Sequence, residues 1–255
     1  MNRYPVTGYD NQSGVTFRRA GIRLDVEAFR KAFWTHFKGG ERNKPCYAYW
    51  DPFVIHETDP CPDVEGMISI RNQQLLNLAF RFIGAGECYL EVGTYKGKSL
   101  ISAMVNNPVV PVFACDNFSA FTGNELEITL ANLRRYGLEN KVMFYSCDFL
   151  EVYCPQKLPI PVGLYFYDAA HEEEPQYLAI KKVEPFLADE ALVIVDDWLY
   201  TPDCPSYARA GTLRAVKESC HQWRLMYELP ARFNGDRAMW WNGLGVLSFR
   251  RTHVG

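Results

Sequence analysis

Residues 88–105 read Cys88-Tyr89-Leu90-Glu91-Val92-Gly93-Thr94-Tyr95-Lys96-Gly97-Lys98-Ser99-Leu100-Ile101-Ser102-Ala103-Met104-Val105. The apolar run Cys88 to Leu90 has strand character and ends in an acid. Two glycines follow at Gly-x-x-x-Gly spacing, and Ser99 to Val105 continues at helical spacing. The order strand, glycine turn, helix suits a ligand site. A turn without Cβ atoms lets a small molecule approach the backbone and tolerates positive φ.

Which ligand such a turn would hold is first a question of charge. A dinucleotide fingerprint reads Gly-x-Gly-x-x-Gly and sets a helix N-terminus against a pyrophosphate. Here Glu91 stands first, and a carboxylate repels phosphate but attracts a cation. S-Adenosylmethionine carries an ammonium and a sulfonium and no phosphate, so it fits where a dinucleotide does not. The competing reading is a structural turn with a surface glutamate, and the rest of the chain has to decide.

The 255 residues, 48% hydrophobic and 22% charged, can bury one large core, which predicts one domain plus an accessory segment. A formal net charge of −3 gives no electrostatic footprint for nucleic acid or an acidic membrane. Small-molecule chemistry is the default. Eight cysteines are scattered without a Cys-x-x-Cys pair, several in apolar runs (Cys88, Cys115, Cys147), and are expected to be reduced core thiols. Met1-Asn2-Arg3-Tyr4-Pro5 lacks an apolar leader and no run reaches transmembrane length. The expected location is the cytoplasm, with no membrane partner.

Residues 1–66 are rich in Pro, Gly and aromatic residues (Tyr47, Tyr49, Trp50, Phe53), with one helix expected from Asp25 to Phe37 on the spacing of Val26, Phe29, Phe33, Trp34 and Phe37. They read as a cap, and residues 67–255 as the main domain. Ser69 is a good N-cap for a helix to about Ile83, closed by Gly84 and Gly86. Val109 to Cys115 reads as a second strand ending at Asp116. Thr122 to Glu125 has capping-box spacing and opens a helix to about Tyr136. Val142 to Tyr145 is a third strand, ending near Asp148, and Leu164 to Tyr167 a fourth, ending at Asp168. A helix from Glu173 to about Leu187 precedes a fifth strand, Leu192 to Val195, ending at Asp196-Asp197. Trp223 to Leu229 follows, and Asn242-Gly243 predicts a hairpin between Arg237–Trp241 and Leu244–Arg250. The pattern implies a doubly wound α/β fold: a Rossmann-like, mostly parallel seven-stranded sheet with an antiparallel C-terminal edge hairpin.

All five strands end in an acid. In an open parallel sheet ligands bind beyond the carboxyl ends of the strands, so Glu91, Asp116, Asp148, Asp168 and Asp196/Asp197 converge on one edge. Asp116 is placed to accept both hydroxyls of a ribose, and Asp148 lies where an adenine amino group would be; each also fits a plain helix cap. Asp168, Asp196 and Asp197 close neighbouring strands about 5 Å apart. Three crowded carboxylates need protons or a cation, and a hard divalent ion, Mg²⁺ above all, satisfies them.

The form Glu91-x-Gly93-x-Tyr95-x-Gly97-x-Ser99 resembles the first motif of class I S-adenosylmethionine-dependent methyltransferases, in particular the metal-dependent O-methyltransferases of the catechol and macrocin types. The resemblance covers roughly residues 67–250. It implies donor contacts from Ser69, Glu91, Gly93, Thr94, Tyr95, Gly97, Ser99, Asp116, Asn117, Asp148, Phe149 and Asp168. It also implies a Mg²⁺ ion held by Asp168, Asp196 and Asp197, and a base, His171, three residues after the first metal acid. The macrocin type, which uses histidine there, comes closer than the catechol type with lysine. The expected reaction is methylation of a hydroxyl on a small molecule, a sugar or a phenolic metabolite. The ion lowers the hydroxyl pKa and His171 takes the proton. Relatives usually show Pro-Gly-Gly before strand five; Pro185 to Ala191 departs from that and predicts a different turn.

Asp168-Ala169-Ala170-His171 is not the Asn/Asp-Pro-Pro-aromatic tetrad of amino-group and nucleic-acid methyltransferases. Pro45-Cys46 and Pro60-Cys61 lie on the wrong side of the motif for cytosine chemistry. A non-catalytic or metal-independent S-adenosylmethionine-binding protein of the same fold is the alternative. The acceptor and any homo-oligomeric state are not legible.

Overall fold

The computed structural model describes residues 23–37, 59–121 and 123–252. Asp25 accepts a hydrogen bond from Ala28 N and starts α1 (Val26–His36). Ser69 does the same for Asn72 N at the start of α2 (Ile70–Phe80). The rest follows as β1 (Cys88–Val92), α3 (Lys98–Met104), β2 (Val112–Cys115), α4 (Glu125–Arg135), β3 (Val142–Tyr145), β4 (Val162–Tyr167), α5 (Glu173–Val183), β5 (Leu187–Val195), a small pair β6 (Leu199–Thr201) and β7 (Cys204–Pro205), α6 (Tyr207–Lys217), β8 (Gln222–Leu229) and β9 (Leu244–Arg250).

One seven-stranded sheet runs in the order β3-β2-β1-β4-β5-β9-β8. Its first five strands are parallel, and β9 lies antiparallel between β5 and β8. Strands β1 and β4 are buried along their whole length, which is why they read as continuous apolar runs. Side chains alternate between two cores. Tyr89, Leu164, Phe166 and Ile194 pack with α1, α2 and α3 on one face, and Leu90, Tyr165, Val193 and Leu247 pack with α5 and α6 on the other. Each such side chain contributes about 1.5–3 kcal/mol by leaving water. Helix α1 belongs to this fabric: Phe29 and Phe33 are fully buried, and the Phe33 ring stacks on Tyr227 of β8 at 4.1 Å. The strand order reverses between β1 and β4, and the crevice beyond their carboxyl ends is the binding place of such sheets.

Several sequence expectations are corrected. The hairpin across Asn242-Gly243 does not form; β9 pairs instead with β8. A type I′ turn needs positive φ at both central residues, whereas here the positive values fall on Trp241 (58°) and Gly243 (89°). Trp240 is buried in the core, and the loop folds back on itself through Asp236 and Trp241. Gly243 is fixed by a close approach, since a Cβ there would lie 2.5 Å from the main-chain oxygen of Leu199. Helices α2 and α5 stop at Phe80 and Val183, the latter continuing as a 3-10 turn, and β2 begins only at Val112. Strand β5 begins at Leu187, without a Pro-Gly-Gly-like turn, and its pairing with β4 is irregular between Leu187 and Leu192. Helix α6 was not anticipated; Gly211 lets it cross α5, because a Cβ would meet Glu173 O at 2.3 Å. Thr122, and the aromatic run Tyr47 to Phe53, lie outside the described residues. Asn124 precedes α4 without a side-chain cap.

Candidate active site

The glycine turn is dictated by its neighbours. Asp168 N donates to Val92 O at 2.8 Å, which brings β4 so close to Gly93 that a Cβ there would sit 1.8 Å from Asp168 O. Gly93 and Gly97 have φ of 87° and 85°, and Tyr95 between them has 48°, a left-handed conformation uncommon for a bulky residue. The strained turn is stitched in place. The Asp116 carboxylate accepts from Thr94 N and Tyr95 N, both at 2.8 Å. The Thr129 hydroxyl donates to Tyr95 O, and Asn132 Nδ2 to Lys96 O at 2.9 Å.

Beyond the turn opens a cavity of about 590 Å³. Of the residues expected there, Gly93, Thr94, Tyr95, Ser99, Asp116, Asn117, Asp148, Phe149, Asp168 and His171 line it, whereas Ser69, Glu91, Gly97, Asp196 and Asp197 do not. Ser69 is buried as the α2 cap, its hydroxyl donating to Asn72 Oδ1. Gly97 supplies the left-handed N-cap of α3. Asp148 doubles as a cap, accepting from Leu150 N at 2.9 Å.

Glu91 is the clearest difference. The strand continues one residue past it, so the acid is not a strand end but an inward-facing core residue with no exposed surface. Tyr89 Oη donates to it at 2.6 Å and Ser99 Oγ at 2.7 Å. Burial pushes its pKa up to about 8 despite these donors, so a proton or a nearby cation stabilises the site.

At the other end of the cavity three acids meet. Burial raises the Asp168 pKa to about 7; His171 pulls it down, while Asp197, Glu91 and Asp116 push it up. Burial and the charges of Asp168 and Asp197 hold Asp196 well above the usual carboxylate range. His171 Nδ1 lies 3.2 Å from Asp197 Oδ2. Asp197 has a φ of 54°, a conformation that concentrates at functional sites. The Tyr200 pKa rises to about 12, by burial first and then by the charges of Asp197 and Asp196. Among the described residues no group of three or more His, Cys, Asp or Glu side chains is arranged to hold a metal ion. Trp198 and Trp240 are core residues.

Sequence reasoning missed Met67, Ile68, Phe121, Cys115 and Cys147 in the wall. It also missed Lys98, which lies inside the motif. Lys98 Nζ reaches Asp59 Oδ2 (2.8 Å), Cys61 O (3.0 Å) and Val64 O (2.8 Å), and so ties the segment leading to Gly66–Ile68 over the turn. A buried lysine beside the glycines was the available signal.

Residues 90–198 match a family model described as "Methyltransferase domain". Residues 90–198 carry the likeness to a methyltransferase domain. The domain model thus spans the glycine turn, Asp116, Asp148, Asp168, His171 and the Asp196-Asp197 pair. Curated proteins give no match. Among solved structures, the domain is similar to cofactor-bound Rv0187 from MTB (18% identity, TM-score 0.55, covering 84% of this chain and 100% of that one). It is also similar to an O-methyltransferase from Bacillus cereus in complex with SAH (13%, 0.56, 81% and 97%) and to the O-methyltransferase TomG from Streptomyces achromogenes in complex with SAM (16%, 0.53, 81% and 96%). At these identities the likeness establishes the fold, the Rossmann-like methyltransferase fold that the Glu91 motif led us to expect. No helix among the described residues is long and apolar enough to cross a membrane.

Proposed function

We propose that the chain is an S-adenosylmethionine-dependent O-methyltransferase acting on a hydroxyl of a small molecule, a sugar or a phenolic metabolite. In this reading residues 67–255 form the catalytic domain and residues 1–66 its cap. The observation that carries the proposal is the contact of His171 Nδ1 with Asp197 Oδ2 at 3.2 Å beside a cavity that runs from Asp116 and Asp148 to Asp168 and His171. Its volume falls within the roughly 300–1,000 Å³ usual for small-molecule sites. Phe149 and Asp148 would hold the adenine, Asp116 and Asn117 the ribose, and the Gly93–Tyr95 turn with Asp168 the amino-acid part. When bound, S-adenosylmethionine supplies a methyl group on a sulfonium.

The chain's own residues supply the proton chemistry. Asp197 accepts from His171 Nδ1–H, which fixes the tautomer and leaves Nε2 as the basic nitrogen. His171 then takes the acceptor's hydroxyl proton as the oxygen attacks. Asp197 stabilises the imidazolium that results, and the packed turn keeps the cavity preorganised.

A Mg²⁺ ion would be held by Asp168, Asp196 and Asp197. Bound there, it would supply Lewis acidity toward the acceptor hydroxyl. The hard oxygen donors fit it. Burial and the charges of Asp168 and Asp197, which hold the Asp196 carboxyl well above the usual range, mark a charge excess that a bound cation would relieve. Calorimetry with S-adenosylmethionine, followed by a methyl-transfer screen over polyhydroxylated acceptors with and without Mg²⁺, tests the reading. Absence of donor binding overturns it. Binding with no transfer to any acceptor favours a non-catalytic binder, and transfer indifferent to chelator removes the metal.

A further inference from the structure

A second reactive centre lies in the cavity wall, away from the acids. Cys115, the last residue of β2, and Cys147, just past β3, both line the cavity, and their sulfurs are 3.9 Å apart. Lys157 Nζ stands 3.3 Å from Cys147 Sγ. The lysine is held there by its own backbone, since Tyr145 Oη donates to Lys157 O at 2.9 Å, and its ammonium lies 5.5 Å from the centre of the Tyr145 ring. Glu151 is the nearest acid to the lysine, at 3.7 Å. Cys115 is buried, whereas Cys147 is only half-buried.

We infer that Cys147 is a thiol modification site, activated by Lys157, which reacts with low-molecular-weight disulfides and then closes a disulfide with Cys115 as the resolving thiol. The chemistry balances in two exchanges. The Cys147 thiolate attacks a disulfide R–S–S–R, forming Cys147–S–S–R and releasing RS⁻. Cys115 then attacks Cys147 Sγ, its proton passing to the departing RS⁻, which leaves as RSH, and Cys115–S–S–Cys147 forms. The dithiol is oxidised and the small disulfide is reduced to two thiols. The sulfurs have to close from 3.9 Å to about 2.05 Å.

Electrostatics assign the order of attack. A hydrogen bond from Cys115, and then the Lys157 ammonium, bring the Cys147 pKa down to about 6, while the same hydrogen bond and burial push Cys115 up. Cys147 is therefore the attacking thiol and Cys115 the resolving one. Because Cys147 adjoins Asp148 and Phe149 in the wall, the bond would also remodel the end of the cavity assigned to adenine. That last consequence rests on the proposed function; the thiol chemistry does not.

The test uses the full, reduced chain and 4,4′-dithiodipyridine, with release of thiopyridone followed by absorbance and the sites mapped by peptide mass spectrometry. At pH 6 Cys147 is expected to react about ten-fold faster than the exposed Cys204 and Cys220, with the advantage gone at about pH 8.5, because a low-pKa thiolate is more abundant but intrinsically less nucleophilic. Two thiopyridones per chain should appear in this fast phase, with a linked Cys115–Cys147 peptide. Cys115→Ser should release one and leave a stable adduct on Cys147, and Lys157→Gln should slow the phase several-fold, each variant first checked for native circular dichroism. Labelling confined to Cys204 and Cys220, or equal rates for Cys147 and these two at pH 6, overturns the inference. Added S-adenosylmethionine should protect Cys147. If the fast phase persists without protection, the cofactor placement fails and the thiol site stands.

Discussion

The main-chain oxygen of Asp168 lies where a side chain on Gly93 would have to be, 1.8 Å from the position of a Cβ. The two glycines of the motif are therefore not equivalent. At Gly97 a Cβ would meet nothing nearer than the Thr129 methyl at 3.4 Å, so only the left-handed φ opposes substitution. Gly97→Ala should lower stability by about 1 kcal/mol, and Gly93→Ala by about 3 kcal/mol or more, since it adds overpacking against backbone. Urea unfolding of both variants measures the contrast, and equal losses would refute it.

Glu91 makes stability depend on pH in an unusual direction. Its pKa is about 8 in the fold against 4.5 for an unperturbed glutamate, so the folded chain binds more protons than the unfolded one between those values. Stability is full below about pH 4.5 from this group and is lost as pH rises toward 8. Asp168, raised to about 7, acts in the same sense. The melting temperature should fall between pH 5.5 and about 8, and the slope should be visibly shallower in Glu91→Gln. A slope identical to that of the unsubstituted chain would show that Glu91 titrates normally.

The paired imidazole predicts a division between binding and turnover. His171→Ala should lower kcat for methyl transfer by about 10²-fold or more and leave the dissociation constant for S-adenosylmethionine within about two-fold, the bound the calorimetry resolves as no loss of contact. Asp197→Asn should act in the same direction and shift the acid limb of the pH–rate profile. Full activity in His171→Ala would remove it from the chemistry.

Divalent ions supply a test free of turnover. Mg²⁺ should raise the melting temperature more at pH 8 than at pH 6, because at the lower pH it competes with protons for carboxyls whose pKa values are raised. Asp168→Asn should abolish the increment. Scanning calorimetry with and without EDTA measures it, and an increment unchanged in the variant would place the ion elsewhere.

Lys98 is a structural tether. Its ammonium is buried and gathers one carboxylate and two carbonyls, so Lys98→Met leaves Asp59 Oδ2 and Val64 O without that donor, while Cys61 O keeps the Val64 amide, and should reduce stability by about 3 kcal/mol. Limited proteolysis should then cut first within residues 59–66. A variant as resistant as the parent would rule the tether out.

Much of this arrangement was legible in the chain because it depends on local rules. Continuous apolar runs mark β1 and β4, Ser69 and Asp25 announce helix starts, and the acids following β2, β4 and β5 fall where a parallel sheet must put them. What escaped was decided by distant contacts. Glu91 looks like a strand terminus until one more residue of pairing turns it into the core. Asn242-Gly243 has turn chemistry, but the burial of Trp240 and the contact of Gly243 with Leu199 use it elsewhere. Lys98 and the two cysteines gained their roles only when segments remote in sequence were brought beside them.

Asp116 enters the resting protein with its hydrogen bonds already made, two of them to the amides of the glycine turn and one to Phe118 N. A sugar hydroxyl that reaches this carboxylate finds three of its roughly four acceptor sites already used, and the net gain from the contact is small. Recognition of a nucleoside at that point must draw on shape, on the apolar panels of Phe121 and Phe149. A ligand without the diol should lose less affinity than an analogue whose base no longer fills the slot.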